Sequence, residues 1–375
     1  MKRRNVLIRK RMDLKERYKV KSNPKYENIR KDNDMTKKER MVAALCHQPV
    51  DRIPRGELGI EGRFIANFFK DTTKPMSALE KEIAVREQMG MDFVDIHEFP
   101  RKLLGYADDG YPIYQSPFRD VFKETPHSFQ MLKPALEDIE DVAEYETADL
   151  STATTHLLDF YKKNTDFFLM CQINGPVSGL DWCLGMEDYM CYCMTDPDLV
   201  AELADKIMKY ETGRAKIFLD RGADAILIGD DIAFNTGLLL PPDTMKKVAY
   251  PFYKKTIREI KAHKDVPVIL HSDGYLYDAI PDIIECGFDG MQSLQPSAGM
   301  DIEKVKKEYG DQLCLIGNVD LNYLLPFGSP EEVTKEVKEL VQKAGPEGFV
   351  LSTCNILTDA VPVENAKAMY FFDKE

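Results

Sequence analysis

Eight apolar, β-rich runs recur along this chain, and most gaps between them carry a helical pattern. The runs lie near residues 53–58, 93–98, 167–173, 225–230, 267–272, 290–294, 313–318 and 348–353. Helical periodicity covers 37–47, 77–89, 152–163, 197–221, 242–263, 276–285, 301–309 and 330–343. Strands that alternate with helices specify a parallel sheet. Eight repeats predict closure into a (β/α)8 TIM barrel, and 375 residues suit one such barrel with insertions. The rival is an open, doubly wound sheet, which places a Gly-rich phosphate loop after its first strand. Here that turn reads Gly56-Glu57-Leu58-Gly59-Ile60-Glu61-Gly62, without the expected spacing.

Two gaps are long. Residues 100–150 carry a turn signal, Asp108-Asp109-Gly110, between alternating Tyr111/Ile113 and Val121/Phe122, which predicts a β-hairpin excursion after strand two. Residues 174–196 hold Gly175-Pro176 and Trp182, and predict a loop with a short helix over the barrel mouth. Residues 1–31 hold 13 Lys/Arg against 3 Asp/Glu, which leaves 37 against 60 in the rest. Residues 1–34 are therefore expected to be a basic, disordered extension, and 35–375 the barrel domain. Met35 resembles a natural start, with Thr36 and Glu39 spaced as a capping box.

An acidic body argues against nucleic acid as the main partner. No apolar stretch approaches the roughly 20 residues of a membrane span, which argues against a membrane partner. Eight irregularly spaced cysteines read as reduced thiols of a cytoplasmic protein.

A barrel enzyme gathers its site from the C-terminal ends of its strands. Those ends offer Glu57 and Glu61, His97-Glu98, Gln172 and Asn174, Asp230-Asp231, His271 and Asp273, Gln292 and Gln295, Asn318 and Asp320, and Cys354 with Asn355. In extended chain, His271 and Asp273 point to the same side. They can meet one ion, or Asp273 can cap a turn with Gly274 while His271 only hydrogen-bonds. Cys354 is either a small buried hydrophobe or a metal ligand. Asp230 and Asp231 can bind a cation, accept protons, hold a substrate or cap a helix.

His271-Ser272-Asp273-Gly274, Glu285-Cys286-Gly287-Phe288-Asp289-Gly290, Leu315-Ile316-Gly317-Asn318-Val319-Asp320 and Val361-Pro362-Val363-Glu364-Asn365 resemble the uroporphyrinogen decarboxylase superfamily. So does the opening, with Arg40, Ala43-Ala44-Leu45 and Asp51-Arg52-Ile53-Pro54. The resemblance spans about residues 36–375 and implies a (β/α)8 barrel. Haem-pathway decarboxylases carry an Arg-Gln-Ala-Gly-Arg loop after strand one, whose guanidinium forks grip porphyrin carboxylates. This chain has Arg55-Gly56-Glu57-Leu58-Gly59 there, an acidic loop that repels such a substrate. The chain is more similar to the corrinoid-dependent, methylcobamide:coenzyme M methyltransferase-like branch. There a His-x-Cys after strand five and a Cys after strand eight hold zinc.

The resemblance therefore implies a zinc-dependent methyltransferase with His271, Asp273 and Cys354 as metal ligands. Asp273 stands where that branch has a cysteine. Glu57 and Asp231 are expected to orient substrate at the catalytic centre, and Arg55, Asn174, Asp230, Gln292 and Gln295 to line the substrate site. The chain carries no cobalamin-binding Asp-x-His-x-x-Gly, so the corrinoid (a cobalamin-type cofactor) is expected on a partner protein. The alternative is a decarboxylase of a porphyrin-like carboxylate, with Arg55, Arg63 and Arg101 as its cationic residues. A second alternative is a non-catalytic ligand-binding barrel.

Overall fold

The structure, a computed structural model, describes residues 35–71, 75–125 and 128–373. The basic segment expected as an extension, residues 1–34, lies outside the described residues. Eight parallel strands form one sheet: β1 (Gly56–Glu57), β2 (Phe93–Ile96), β3 (Phe168–Asn174), β4 (Ala225–Gly229), β5 (Val268–Ser272), β6 (Gly290–Ser293), β7 (Cys314–Val319) and β8 (Phe349–Thr353). Each pairs in register with the next in sequence. A parallel bridge from Arg55 to Leu351, with Leu351 N donating to Pro54 O at 2.8 Å, brings β8 back beside β1. The result is a nearly closed (β/α)8 barrel, as the alternation of runs predicts. Its strands read as continuous apolar runs because both faces of a barrel wall are buried.

Two apolar cores follow from the two faces. The larger lies between the strands and the surrounding helices. The smaller fills the barrel interior with Phe93, Phe168, Met170, Ala225, Leu227, Ile269, Cys314, Ile316 and Val350. The helix Lys37–Leu45 contributes Met41, Ala44 and Leu45 to this interior core. It begins with the capping box of Thr36 and Glu39. Its Arg40 is anchored at 2.6 Å to both Asp51 and Asp92. The helix plugs one end of the barrel and leaves the other for chemistry.

The excursion after β2 is larger than one hairpin. Lys102–Tyr106, Pro112–Gln115, Val121–Glu124 and Phe129–Lys133 form a four-stranded antiparallel sheet. The second hairpin escapes the sequence pattern because the burial along Phe129–Lys133 does not alternate: one half-buried residue stands among exposed ones. The segment after β3 folds as two helices, Pro176–Leu184 and Met186–Thr195, where a loop and one short helix are expected. No helix among the described residues is long and apolar enough to cross a membrane.

Candidate active site at the barrel mouth

Alternation along the strands converts the interior from apolar to polar toward their C-terminal ends. On β2, Phe93 belongs to the interior core, and two residues on Asp95 is level with Met170 of β3, another interior residue. One rung crosses Asn174, Gly229, His271 and Gln292 on four successive strands. His271 is thus placed by its strand, with Ile269 two residues earlier in the floor beneath it.

Gln292, fully buried, fixes the imidazole. Its Nε2 donates to the Thr353 carbonyl at 3.2 Å, which turns its Oε1 toward His271, and His271 Nδ1 donates to that oxygen. The other ring nitrogen, Nε2, faces Asp231 Oδ1 at 4.0 Å. Asp231 is itself tethered by the backbone N–H of Asp273, which donates to its Oδ1 at 2.8 Å. Asp273 receives the Ser293 hydroxyl on Oδ1 at 2.6 Å and the Asn355 amide on Oδ2 at 2.5 Å. Gly274, at φ +92°, follows at once, and a Cβ there would meet the Ala233 carbonyl oxygen at 2.6 Å. Only glycine turns the chain here so that Asp273 stays at the mouth.

Asp231, His271 and Asp273 each bring a donor atom within 4.8 Å of the others. Among the described residues no other group of three His, Cys, Asp or Glu converges so closely. Imidazole and carboxylate are both zinc donors, so the set fits a divalent ion. Cys354, just past β8, is buried, and its N–H donates to Val319 O at 3.1 Å. It does not belong to the converging trio.

The remaining expected residues divide into two groups. Gln295 borders the site, accepting from Gly274 N at 3.0 Å through Oε1. Asp230, Asn174, Glu57 and Arg55 are occupied by structural partners. Asp230 reaches over Gly175 to accept from Val177 N and Ser178 N at the start of the helix Pro176–Leu184, and Tyr253 also donates to it. Burial pushes its carboxyl up to about 6, against those hydrogen bonds. Asn174 donates to Glu211 at 3.2 Å, beside the buried Arg214.

Glu57 is fully buried. It accepts from Thr353 N at 3.0 Å, Thr353 Oγ1 at 2.6 Å and Tyr370, on the C-terminal helix Val363–Tyr370. Burial raises it to about 7. Arg55 pairs with Asp373 at 2.5 Å and donates to the Tyr370 carbonyl. Neither residue presents its charge to the barrel mouth.

One residue escaped the sequence reading. Asp95 faces into the barrel, and its Oδ1 is buried without a hydrogen-bond partner. Burial pushes its carboxyl up to about 8, with Arg86 opposing, so near neutrality it is protonated and can donate. The signal was available: an acid inside the run Phe93-Val94-Asp95-Ile96, on the face of Phe93.

The profile of the Uroporphyrinogen decarboxylase (URO-D) family matches residues 36–372. The chain belongs to the URO-D family. Relatives of this URO-D chain carry two activities. A methylcobamide:CoM methyltransferase of Methanosarcina barkeri is 26% identical over 208 residues, 56% of this chain and 58% of that protein. A uroporphyrinogen decarboxylase of Hordeum vulgare is 29% identical over 181 residues, 48% of this chain and 51% of that protein. The URO-D chain thus spans little more than half the length of these two relatives. A uroporphyrinogen decarboxylase of Chloroherpeton thalassium is 24% identical over 370 residues, 91% of this chain and 98% of that protein. Among solved structures, a methyltransferase from Methanosarcina mazei superposes with a TM-score of 0.67 at 20% identity, over 90% of this chain and 97% of that one. That likeness shows the fold.

Proposed function

We propose that this URO-D barrel is a zinc-dependent methyltransferase that moves a methyl group between a corrinoid protein and a small substrate or thiol. The observation that carries the reading is the meeting of His271, Asp273 and Asp231 at the C-terminal end of the barrel. Among relatives, the methylcobamide:CoM methyltransferase supports it. In this reading zinc is held through His271 and Asp273, the two ligands that the converging trio shares with the set the resemblance implies. Bound there, the ion would act as a Lewis acid and lower the pKa of a coordinated thiol. Gln292 orients the imidazole, while Ser293 and Asn355 fix the Asp273 carboxylate. Asp95, neutral near pH 7, donates a hydrogen bond to a substrate atom deeper in the barrel. Asp231, with its side chain 60% exposed, faces the incoming partner or substrate.

A decarboxylase is the second reading, favoured by the match over 98% of the Chloroherpeton thalassium enzyme. The arginines weigh against it. Arg55 is buried against Asp373, Arg63 lies 3.4 Å from Asp359, and Arg101 pairs with Glu124 at 2.7 Å. Arg55 is thereby withheld from a polycarboxylate, and Arg63 and Arg101 each already face a carboxylate.

The test is methyl transfer between methylcobalamin and a panel of thiols, and from methylated small molecules to reduced cobalamin, with zinc-loaded protein. Transfer in either direction that chelation abolishes supports the methyltransferase. Turnover of uroporphyrinogen with no methyl transfer overturns it.

A further inference from the structure

The imidazole of His271 cannot choose which nitrogen it offers to the mouth. Gln292 is committed at both ends, donating to the Thr353 carbonyl and accepting from His271 Nδ1. A flipped amide would set two carbonyl oxygens against each other. Nε2 is therefore the atom that faces Asp231 Oδ1, and 4.0 Å is too wide for a hydrogen bond. Two Lewis-basic atoms face each other across a gap. Asp273, the third donor, spends one hydrogen bond on each oxygen, and a carboxylate has about four acceptor positions. Its backbone N–H also sets the position of Asp231 at 2.8 Å. The trio is thus cross-braced, and every brace leaves a lone pair unused.

We infer that Asp231, and not Cys354, completes the protein shell of the metal at this mouth, so that the centre is built of nitrogen and oxygen alone. The inference rests on the reading of a metal centre at His271 and Asp273. Zinc-type bonds of about 2.0–2.2 Å to each donor need the two atoms somewhat closer than 4.0 Å. The exposed Asp231 side chain supplies that movement by a small rotation. Two carboxylates neutralise a divalent cation, and one imidazole adds no charge.

Such a set is harder than one with thiolates. It accepts cobalt, manganese or iron(II) as well as zinc, and favours an oxygen ligand in its open positions. The small-molecule ligand class is therefore one that presents an alkoxide, phenolate, carboxylate or water oxygen. The open positions lie on the solvent side, where Asp231 is 60% exposed.

The test uses Co2+ as probe ion on the purified full chain, in the wild type, Asp231→Asn and Cys354→Ser. The expected wild-type result is one Co2+ per chain, with ligand-field absorption and no sulfur-to-cobalt charge-transfer band. Asp231→Asn keeps an acceptor for Asp273 N and should preserve the thermal melt, while it weakens Co2+ binding about tenfold or more. Cys354→Ser should bind within about twofold of wild type with the same spectrum, since replacing an uncoordinated thiol removes no bond. A charge-transfer band that Cys354→Ser removes would overturn the inference, as would an Asp231→Asn variant that binds like wild type. Failure of the wild type to acquire Co2+ overturns it as well. Methyl transfer measured on the same samples separates the two claims. A centre that needs Asp231 but transfers no methyl group sinks only the methyltransferase reading. Transfer that depends on Cys354 as ligand sinks only this shell.

Discussion

Asn355, the second residue past β8, donates from Nδ2 to Asp273 Oδ2 at 2.5 Å, the first residue past β5. The two strand ends are not neighbours in the sheet, yet this bond ties them across the mouth. Asparagine here does not compete for a cation, but sets the direction of the carboxylate that can.

Asn355→Ala should therefore weaken zinc binding by about 10- to 100-fold, the usual cost of removing a group that orients a ligand. The fold should be intact, because Asn355 is only partly buried. Titration calorimetry with Zn2+, beside a thermal melt, checks both. Equal affinity in the variant would mean that Asp273 is not a ligand.

Ser293 offers a separation of stability from function. Its φ is +98°, and Leu294 after it is at +54°, both in a region that side chains disfavour. Strain of this kind costs of order 1–3 kcal/mol at a residue and is kept where surrounding contacts impose it. Asn318, donating to Leu294 O at 2.9 Å, is one of those contacts. Ser293→Gly should leave stability unchanged or raise it by about 1 kcal/mol, by relieving φ. The same change removes the hydroxyl from Asp273 and should weaken metal binding. Denaturant unfolding and metal titration on one preparation will show whether the two properties move apart.

The barrel and part of its mouth were legible in the sequence, for a specific reason. A buried parallel strand is a run of apolar residues whatever surrounds it, so all eight strands stand out. His271-x-Asp273 also shows itself, because a two-residue step in extended chain fixes a common side. What was not legible is which side a very short strand presents. β1 is two residues long, too short for its pattern to separate Glu57 and Arg55 from residues that face the mouth. Both are instead taken up by the C-terminal segment, through Tyr370 and Asp373, more than 300 positions away in sequence. The partnership of Asp231 with His271 likewise depends on β4 lying beside β5 in a given register. Asp95 is different, since its place within an apolar run on the face of Phe93 was there to be read.

Glu57 gives a pH test of burial. Desolvation raises its carboxyl from 4.5 to about 7 in the folded protein, against hydrogen bonds from Thr353 and Tyr370. A raised carboxyl means that the folded state holds the proton longer than the unfolded chain. Stability associated with this group is full below about pH 4.5 and is lost as pH rises through 7. The loss is about 3 kcal/mol at 1.36 kcal/mol per pKa unit. Glu57→Gln does not ionise, so its stability relative to wild type should improve between pH 5 and pH 8. Urea unfolding at the two pH values measures it, and a constant difference would refute the buried, protonated carboxyl.

Arg55 should behave as a structural residue. Its guanidinium is buried against Asp373 and the Tyr370 carbonyl. Arg55→Ala leaves that carbonyl without its donor, at a cost of about 1–3 kcal/mol. Asp373, partly exposed, can be solvated instead. A lower melting temperature with kcat/KM for methyl transfer within about twofold of wild type is expected, because uniform loss of a remote contact removes no transition-state interaction. A large rise in KM without loss of stability would return Arg55 to the substrate site.

Asp95 is where stability and activity should both report one proton. Its Oδ1 has no partner, it faces the barrel interior, and burial raises it to about 8. Ionising it costs the fold, so wild-type stability from this group is lost as pH rises through about 8. Asp95→Asn lacks the proton to lose, so its stability relative to wild type should rise from the ordinary carboxyl value of 3.8 up to about pH 8 and level off above that. If the neutral carboxyl donates to substrate, wild-type kcat/KM should also fall as pH passes about 8, and that limb should be missing in Asp95→Asn, whose amide still donates. Asp95→Ala removes the donor altogether and should lose about 100-fold or more in rate. The stability profile tests the buried carboxyl and the rate profile tests its contact with substrate. An Asp95→Ala enzyme with wild-type kcat/KM would leave Asp95 a buried acid of the barrel interior and nothing more.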